Sequence, residues 1–346
     1  MKLLSLFITI LLAASLACIA PSVCRAQHKR EKAEAVTPPT PPTPPTPPTL
    51  PDEQQPLERT IDATSNVVIT VCLASGDVIV HGWDRAEVRA NTTDAEQLEL
   101  HRGGAPNQTA PAARVDVIIS NAPPTKREEL TCDCSASSDL TLDVPKGATV
   151  QIKTNDGSVE VMDVADARVE TLSGDISLRG VSKRVEASSV SGDVSLENSS
   201  GPVRLRSISG SVEASHARII DATDDCEANT VSGDVTLAQI SHAHVQARTI
   251  SGSVTMKGPL ARGGLYDFKT TSGDMVFTLP GDASFRISAR IPRGEIVTDF
   301  TLRNAGTDQA STPNTRLLIG TYGTGDATLD LYSFSGTVRL RRDTFK

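Results

Sequence analysis

Aromatic side chains are scarce in this chain of 346 residues: they make up 3%, with a single tryptophan, Trp83. Few rings mean few large plates for a globular core and few platforms on which sugars or nucleobases stack. A surplus of positive charge is missing as well, since 34 Lys and Arg stand against 42 Asp and Glu, for a formal net charge of -8. Nucleic-acid binding depends on neutralising phosphates with basic side chains, so nucleic acid is excluded as a general partner. No Gly-x-Ser-x-Gly elbow, phosphate-binding glycine loop or zinc-protease helix occurs, and no catalytic residue or cofactor is assigned. Beyond the first residues no stretch reaches the ~20 apolar positions of a membrane span, so the mature chain is read without a transmembrane helix.

What is present begins with an export leader, residues 1–26. Lys2 gives a minimal positive start, Leu3 to Ala17 is almost wholly apolar, and Cys24-Arg25-Ala26 offers small residues for cleavage before Gln27. Cys18 after Ser15-Leu16-Ala17 offers a lipid anchor as the alternative, on a poor acylation motif. Either route exports the chain, to the periplasm, the outer membrane or the cell surface. Residues 27–59 form a linker in which Pro-Pro-Thr repeats four times from Pro38 to Thr49. Tandem prolines favour the polyproline II helix, a stiff spacer.

Folding is expected over residues 60–346, in three stretches: 60–149 with strands and loops, 150–280 with regular repeats, and 281–346 with further strands. Within the first stretch, residues 91–114 read as a long surface loop. In the second, a six-residue unit recurs: Ser173-Gly174-Asp175-Ile176-Ser177-Leu178, then Ser191-Gly192-Asp193-Val194-Ser195-Leu196, and so on. Its glycines stand at 157, 174, 192, 210, 233, 252 and 273, at intervals of 17, 18, 18, 23, 19 and 21. A period near twenty that tolerates insertions marks a solenoid. Period-2 alternation excludes a helical repeat. The fold class is therefore all-β, a parallel β-helix or β-solenoid with turns of about 18–21 residues. In residues 191–208 the glycine makes a corner, Val194 and Leu196 point inward, 197–201 turn again, Val203 and Leu205 return, and Ile208 closes the turn. The charged tail, 341–346, is read as guarding the open end against strand addition.

The tandem Ser-Gly-Asp-Val units, the opening Ser75-Gly76-Asp77-Val78 with Gly82-Trp83-Asp84, and the step Val144-Pro145-Lys146-Gly147 resemble the bacterial adhesin-like family of β-strand-repeat proteins, a domain of unknown function. The resemblance covers about residues 60–346. It implies an exported, right-handed β-helical domain without established catalytic residues.

Several clusters carry side chains capable of chemistry. The position after the corner glycine carries Asp175, Asp193, Asp234 and Asp274, a column where calcium could bridge stacked carboxylates. Turn chemistry is the preferred reading, because Asp and Ser cap tight turns through their own side-chain oxygens. Cys72, Cys132, Cys134 and Cys226 could form two disulfides in an oxidising compartment, with connectivity open, the alternatives being free thiols and a metal site. His242 and His244 are read as a solvent-exposed pair on one strand face. Asp224, Asp225 and Glu227, on the longest insertion, could line a groove, as a polysaccharide-active β-helix needs converging carboxylates. The leading expectation is a non-enzymatic module of the cell envelope, adhesin-like or structural. Its partner would be an unknown envelope protein or glycan, held on flat faces rich in Ser, Thr, Arg and Glu. The alternatives are a polysaccharide-active enzyme and an envelope-signalling accessory protein.

Overall fold

The structure, a computed structural model, describes residues 56–103, 110–121, 134–303 and 316–343. The leader, the Pro-Pro-Thr repeat, Cys132 and residues 344–346 of the tail lie outside them. Among the described residues the regular structure is all strand. The first strands are β1 (Leu57–Ser75), β2 (Val78–Trp83), β3 (Glu87–Thr92), β4 (Gln97–Arg102), β5 (Ala112–Ser120) and β6 (Leu140–Pro145). The repeat region holds β7 (Thr149–Asp156), β8 (Val159–Met162), β9 (Asp166–Ser173), β10 (Ile176–Arg179), β11 (Arg184–Ser191), β12 (Val194–Glu197), β13 (Val203–Arg206) and β14 (Val212–Ser215). It continues through β15 (Asp225–Asn229), β16 (Val235–Ala238), β17 (His244–Arg248), β18 (Val254–Lys257), β19 (Leu265–Ser272) and β20 (Met275–Pro280). The last are β21 (Phe285–Arg290), β22 (Arg293–Thr298), β23 (Leu317–Tyr322) and β24 (Ala327–Asp343).

Each turn of the repeat contributes one strand to each of two parallel stacks. The first stack runs through β7, β9, β11, β13, β15, β17 and β19 and on to the first half of β24. The second runs through β8, β10, β12, β14, β16, β18 and β20 to the second half of β24. Like residues therefore stand in columns: Val194 lies between Ile176 and Val212, and Val185 between Ala167 and Val203. These inward positions are all buried. The core is narrow, so small β-branched side chains fill it, and aromatics enter only toward the C-terminal end, where Phe268 meets Phe277 edge-on.

The corner between stacks explains the motif. Gly174 has φ +135°, a region that side-chain-bearing residues avoid, and a Cβ there would run into the carbonyl of Gly157 one turn earlier. The ladder continues across the corner, because Gly192 N–H donates to Ser209 and Val194 N–H to Ser211. The corner glycine carbonyls are satisfied from inside by a column of buried hydroxyls. Ser189 donates to Gly174 at 3.2 Å, Ser207 to Gly192 at 2.9 Å, Thr230 to Gly210 at 2.8 Å and Thr249 to Gly233 at 3.0 Å. Apolar residues at these positions would leave buried carbonyls unpaired.

Four expectations are corrected here. Residues 91–114 are not one long loop: 91 and 92 end β3, and β4 pairs antiparallel with β5, burying Leu98 on the core. Ile208 does not close the turn inward. The buried residue is Ser207, and Ile208 is exposed, because the hydroxyl is needed at the corner. The tail does not guard the open end, since β24 lies inside both stacks, between β19 and β21 and between β20 and β22. The last strands are instead β23, antiparallel to β21, and β22. Finally, β1 starts at Leu57, and its first residues pair antiparallel with β3.

Candidate binding groove

The longest interval of the repeat, between Gly210 and Gly233, holds extra residues after Arg218 that leave the stack. They form a loop closed by Asp224, whose carboxylate accepts the backbone N–H of Ile220 at 2.7 Å and of Asp221 at 2.9 Å. Beneath this loop the outer face of the first stack holds a groove of about 770 Å³, lined by Arg184, Glu186, Arg204, Asp225, Glu227, His244, Gln246, Leu265 and Asp267. Strands β11 to β19 supply these side chains at alternate positions, the outward set of a strand whose inward set is core.

Charges in the groove pair across rungs. Glu227 receives Arg204 at 2.9 Å, Arg206 at 3.2 Å and the amide of Asn229 at 2.6 Å. Partial burial pushes its carboxyl up, but these donors more than reverse that and hold it below the usual carboxylate range. Asp225 stands 3.3 Å from His244, and Asp267 takes Lys269 at 2.8 Å and Arg248 at 3.3 Å. Arg184 makes no ion pair among the described residues. At the groove's rim Asp166 is pushed up by burial, and Arg184 and Lys183 only ease that.

The family model of Toastrack DUF4097 matches residues 65–239 and again 203–341. The chain belongs to the Toastrack DUF4097 family. As an adhesin-like domain of unknown function it agrees with the resemblance drawn from its Ser-Gly-Asp-Val units. Three solved structures are similar to this Toastrack chain. One is a candidate cell adhesion protein from Clostridium sporogenes, 11% identical, covering 84% of this chain and 100% of that one, with a TM-score of 0.21. A candidate adhesin from Bacteroides fragilis is 11% identical, with coverage of 83% and 97% and a TM-score of 0.37. Another from Parabacteroides merdae is 9% identical, with coverage of 82% and 95% and a TM-score of 0.32. No curated protein matches the chain. The matching family and these similar structures are named for adhesion or for no function, not for an enzyme.

On this Toastrack scaffold the sequence-selected residues fall as follows. Asp224, Asp225 and Glu227 all reach the groove, but Asp224 is buried and committed to its own loop, and Glu227 is bound by two arginines. A lowered carboxyl is the wrong direction for a general acid, so Glu227 does not fit that role in glycoside cleavage. The aspartates of the corner act between turns. Asp175 Oδ1 accepts Asp193 N–H at 2.8 Å, Asp193 Oδ1 accepts Ser211 N–H at 2.7 Å, Asp234 accepts Ser253 at 2.7 Å and Asp274 accepts Thr337 at 2.8 Å. The preferred reading had each side chain capping its own turn, whereas it clips the next one. Among the described residues no three His, Cys, Asp or Glu side chains gather as metal ligands. Cys72 and Cys134 form a disulfide, and Cys226 is free and buried, its thiol pushed up to about 12 by burial.

The histidines are not an exposed pair. His244 is exposed, but His242 is fully buried. Its Nε2 lies 2.9 Å from the Gly201 carbonyl, two turns back, and its Nδ1 has no partner among the described residues. Burial holds this imidazole below its usual pKa, with the Gly201 bond and nearby Asp224 and Asp225 opposing. The signal for this was the 23-residue interval itself, which announces inserted residues at this corner. No helix among the described residues is long and apolar enough to cross a membrane.

Proposed function

We propose that this chain is an exported, non-enzymatic interaction module of the cell envelope, a right-handed parallel β-helix that holds a protein or glycan partner in the groove beneath the 219–224 loop. The observation that carries the reading is the groove itself, where charged side chains of both signs are fixed by cross-rung pairs. Such an array recognises a complementary surface by register, and pairing leaves its carboxylates poorly suited to proton transfer. The Cys72–Cys134 disulfide supports an oxidising location, as does the leader read as cleaved after Ala26. The Pro-Pro-Thr spacer then sets the folded unit at a distance from whatever holds its N-terminal end. The test is capture from envelope fractions by the immobilised chain from Gln27 onward. A defined protein or glycan is expected with the wild type and is expected to be lost with Arg204→Glu. Recovery of nothing in repeated trials would leave a purely structural role.

A further inference from the structure

A row of large apolar residues stands outward on consecutive turns: Leu172 is 55% exposed, Val190 41%, Ile208 49%, Val231 41% and Ile250 55%. Each immediately precedes the Ser-Gly corner, and the corner serines are bridged from turn to turn, Ser191 to Ser209 to Ser232 to Ser251. Rungs spaced by about 4.8 Å make this a straight ridge about 19 Å long. Isolated exposed hydrophobics are ordinary, but a contiguous row marks a contact surface.

The flanks of the ridge carry opposite charge. Two residues before it, on the first stack, stand Glu170, Ser188, Arg206, Asn229 and Arg248, with Lys153 and Lys269 on the rungs beyond the ridge. Three residues after it stand Asp175, Asp193 and Asp234, all exposed. The two rungs bearing arginine carry serine on the acidic side, Ser211 and Ser253, and their arginines also pair within the chain, Arg206 with Glu227 and Arg248 with Asp267.

We propose that the ridge is a self-association surface, on which a second copy of this chain packs with its ridge parallel and in register. The choice of partner follows from symmetry. Two copies facing each other across a two-fold axis along the ridge set the basic flank of one against the acidic flank of the other. Ile208 then meets Ile208 on the axis, and each arginine stands one rung from aspartates of its partner. A two-fold axis across the ridge would make the copies antiparallel and face basic row with basic row and acidic with acidic. An anionic lipid surface would meet the aspartate row on one whole side and is disfavoured for the same reason. The ridge is small, so the pair belongs among weak associations.

The test uses the chain from Gln27 onward in sedimentation equilibrium, over about 1 to 500 μM to bracket a micromolar dissociation constant. A monomer–dimer equilibrium is expected, weakened at least about tenfold by Ile208→Asp and by Val190→Asp, with circular dichroism and melting unchanged because both positions face solvent. Oxidised Ile208→Cys chains are expected to cross-link as homodimers, and Thr255→Cys chains, on the other stack, are not. A chain that stays monomeric throughout, or a dimer indifferent to both aspartate variants, overturns the proposal. Cross-linking of Leu172→Cys chains to Ile250→Cys chains in a mixture overturns the parallel arrangement. Binding of phosphatidylglycerol vesicles that is lost with Ile208→Asp would reassign the ridge to a lipid surface.

Discussion

Single residues in this molecule act mostly by keeping one turn attached to the next. Gly174→Ala places a side chain at φ +135° against a neighbouring carbonyl, and is expected to cost about 3 kcal/mol or more, read as a lowered thermal midpoint. Thr230→Val removes the hydroxyl that satisfies the Gly210 carbonyl while keeping the shape, and is expected to cost about 1–3 kcal/mol. Asp193→Ala frees the N–H of Ser211, whereas Asp193→Asn keeps an acceptor. The alanine variant should lose about 1 kcal/mol and the asparagine variant less. Because each of these carboxylates already holds a backbone donor, millimolar calcium is expected to leave the melting temperature of the wild type unchanged. A calcium-induced rise would restore the cation reading of Asp175, Asp193, Asp234 and Asp274. His242 gives a pH dependence with a definite sign. Its folded pKa is lowered, so the unfolded chain takes up the proton first. Its stabilising contribution is whole above the ordinary value of about 6.5 and is lost as pH falls below it. Melting curves from pH 8 to 5 should show that loss in the wild type, and a smaller one in His242→Leu.

At the scale of the element, the disulfide links β1 to the segment before β6, Cys72 and Cys134 being 62 positions apart. Closing a loop of that size restricts the unfolded chain by about 4 kcal/mol in the chain-entropy model, so reduction should lower the denaturation midpoint markedly. Cys226, buried between Val203 and Val245, should resist thiol reagents until the protein unfolds. The strands of the repeat were legible in the sequence because inward and outward positions alternate without exception between Val159 and Leu237 on the second stack. The turn-closing position was not legible. Ser207 and Ile208 are adjacent, and hydrophobicity alone assigns the isoleucine inward, where the corner needs a hydroxyl. Nor was β4 legible, since Gln97–Arg102 carries only two leucines and its role as a capping strand comes from pairing with β5, distant from any motif. Of the groove, the acidic residues on the insertion could be picked out, but their arginine partners stand 23 and 21 positions away and come together only through stacking.

The molecule as a whole depends on neighbours one turn apart, so it should tolerate loss of a whole turn better than loss of part of one. Deleting residues 174–191 brings Ser173 before Gly192 and preserves every column, since equivalent residues there are 18 apart. That variant is expected to fold with a modestly lower melting temperature, whereas deleting half as many residues should abolish cooperative melting. The same stacking fixes the charges of the groove by pairing them across rungs. The claim that these charges exist for recognition rather than for stability is tested most directly by reversing the cluster, Arg204→Glu and Arg206→Glu together with Glu227→Arg. Opposite charge is kept across the rung, so melting should change little, while binding to isolated envelope material, measured as retained protein after washing, should fall at least about tenfold. Binding equal to that of the wild type, at equal stability, would contradict the account and return the groove to a structural role.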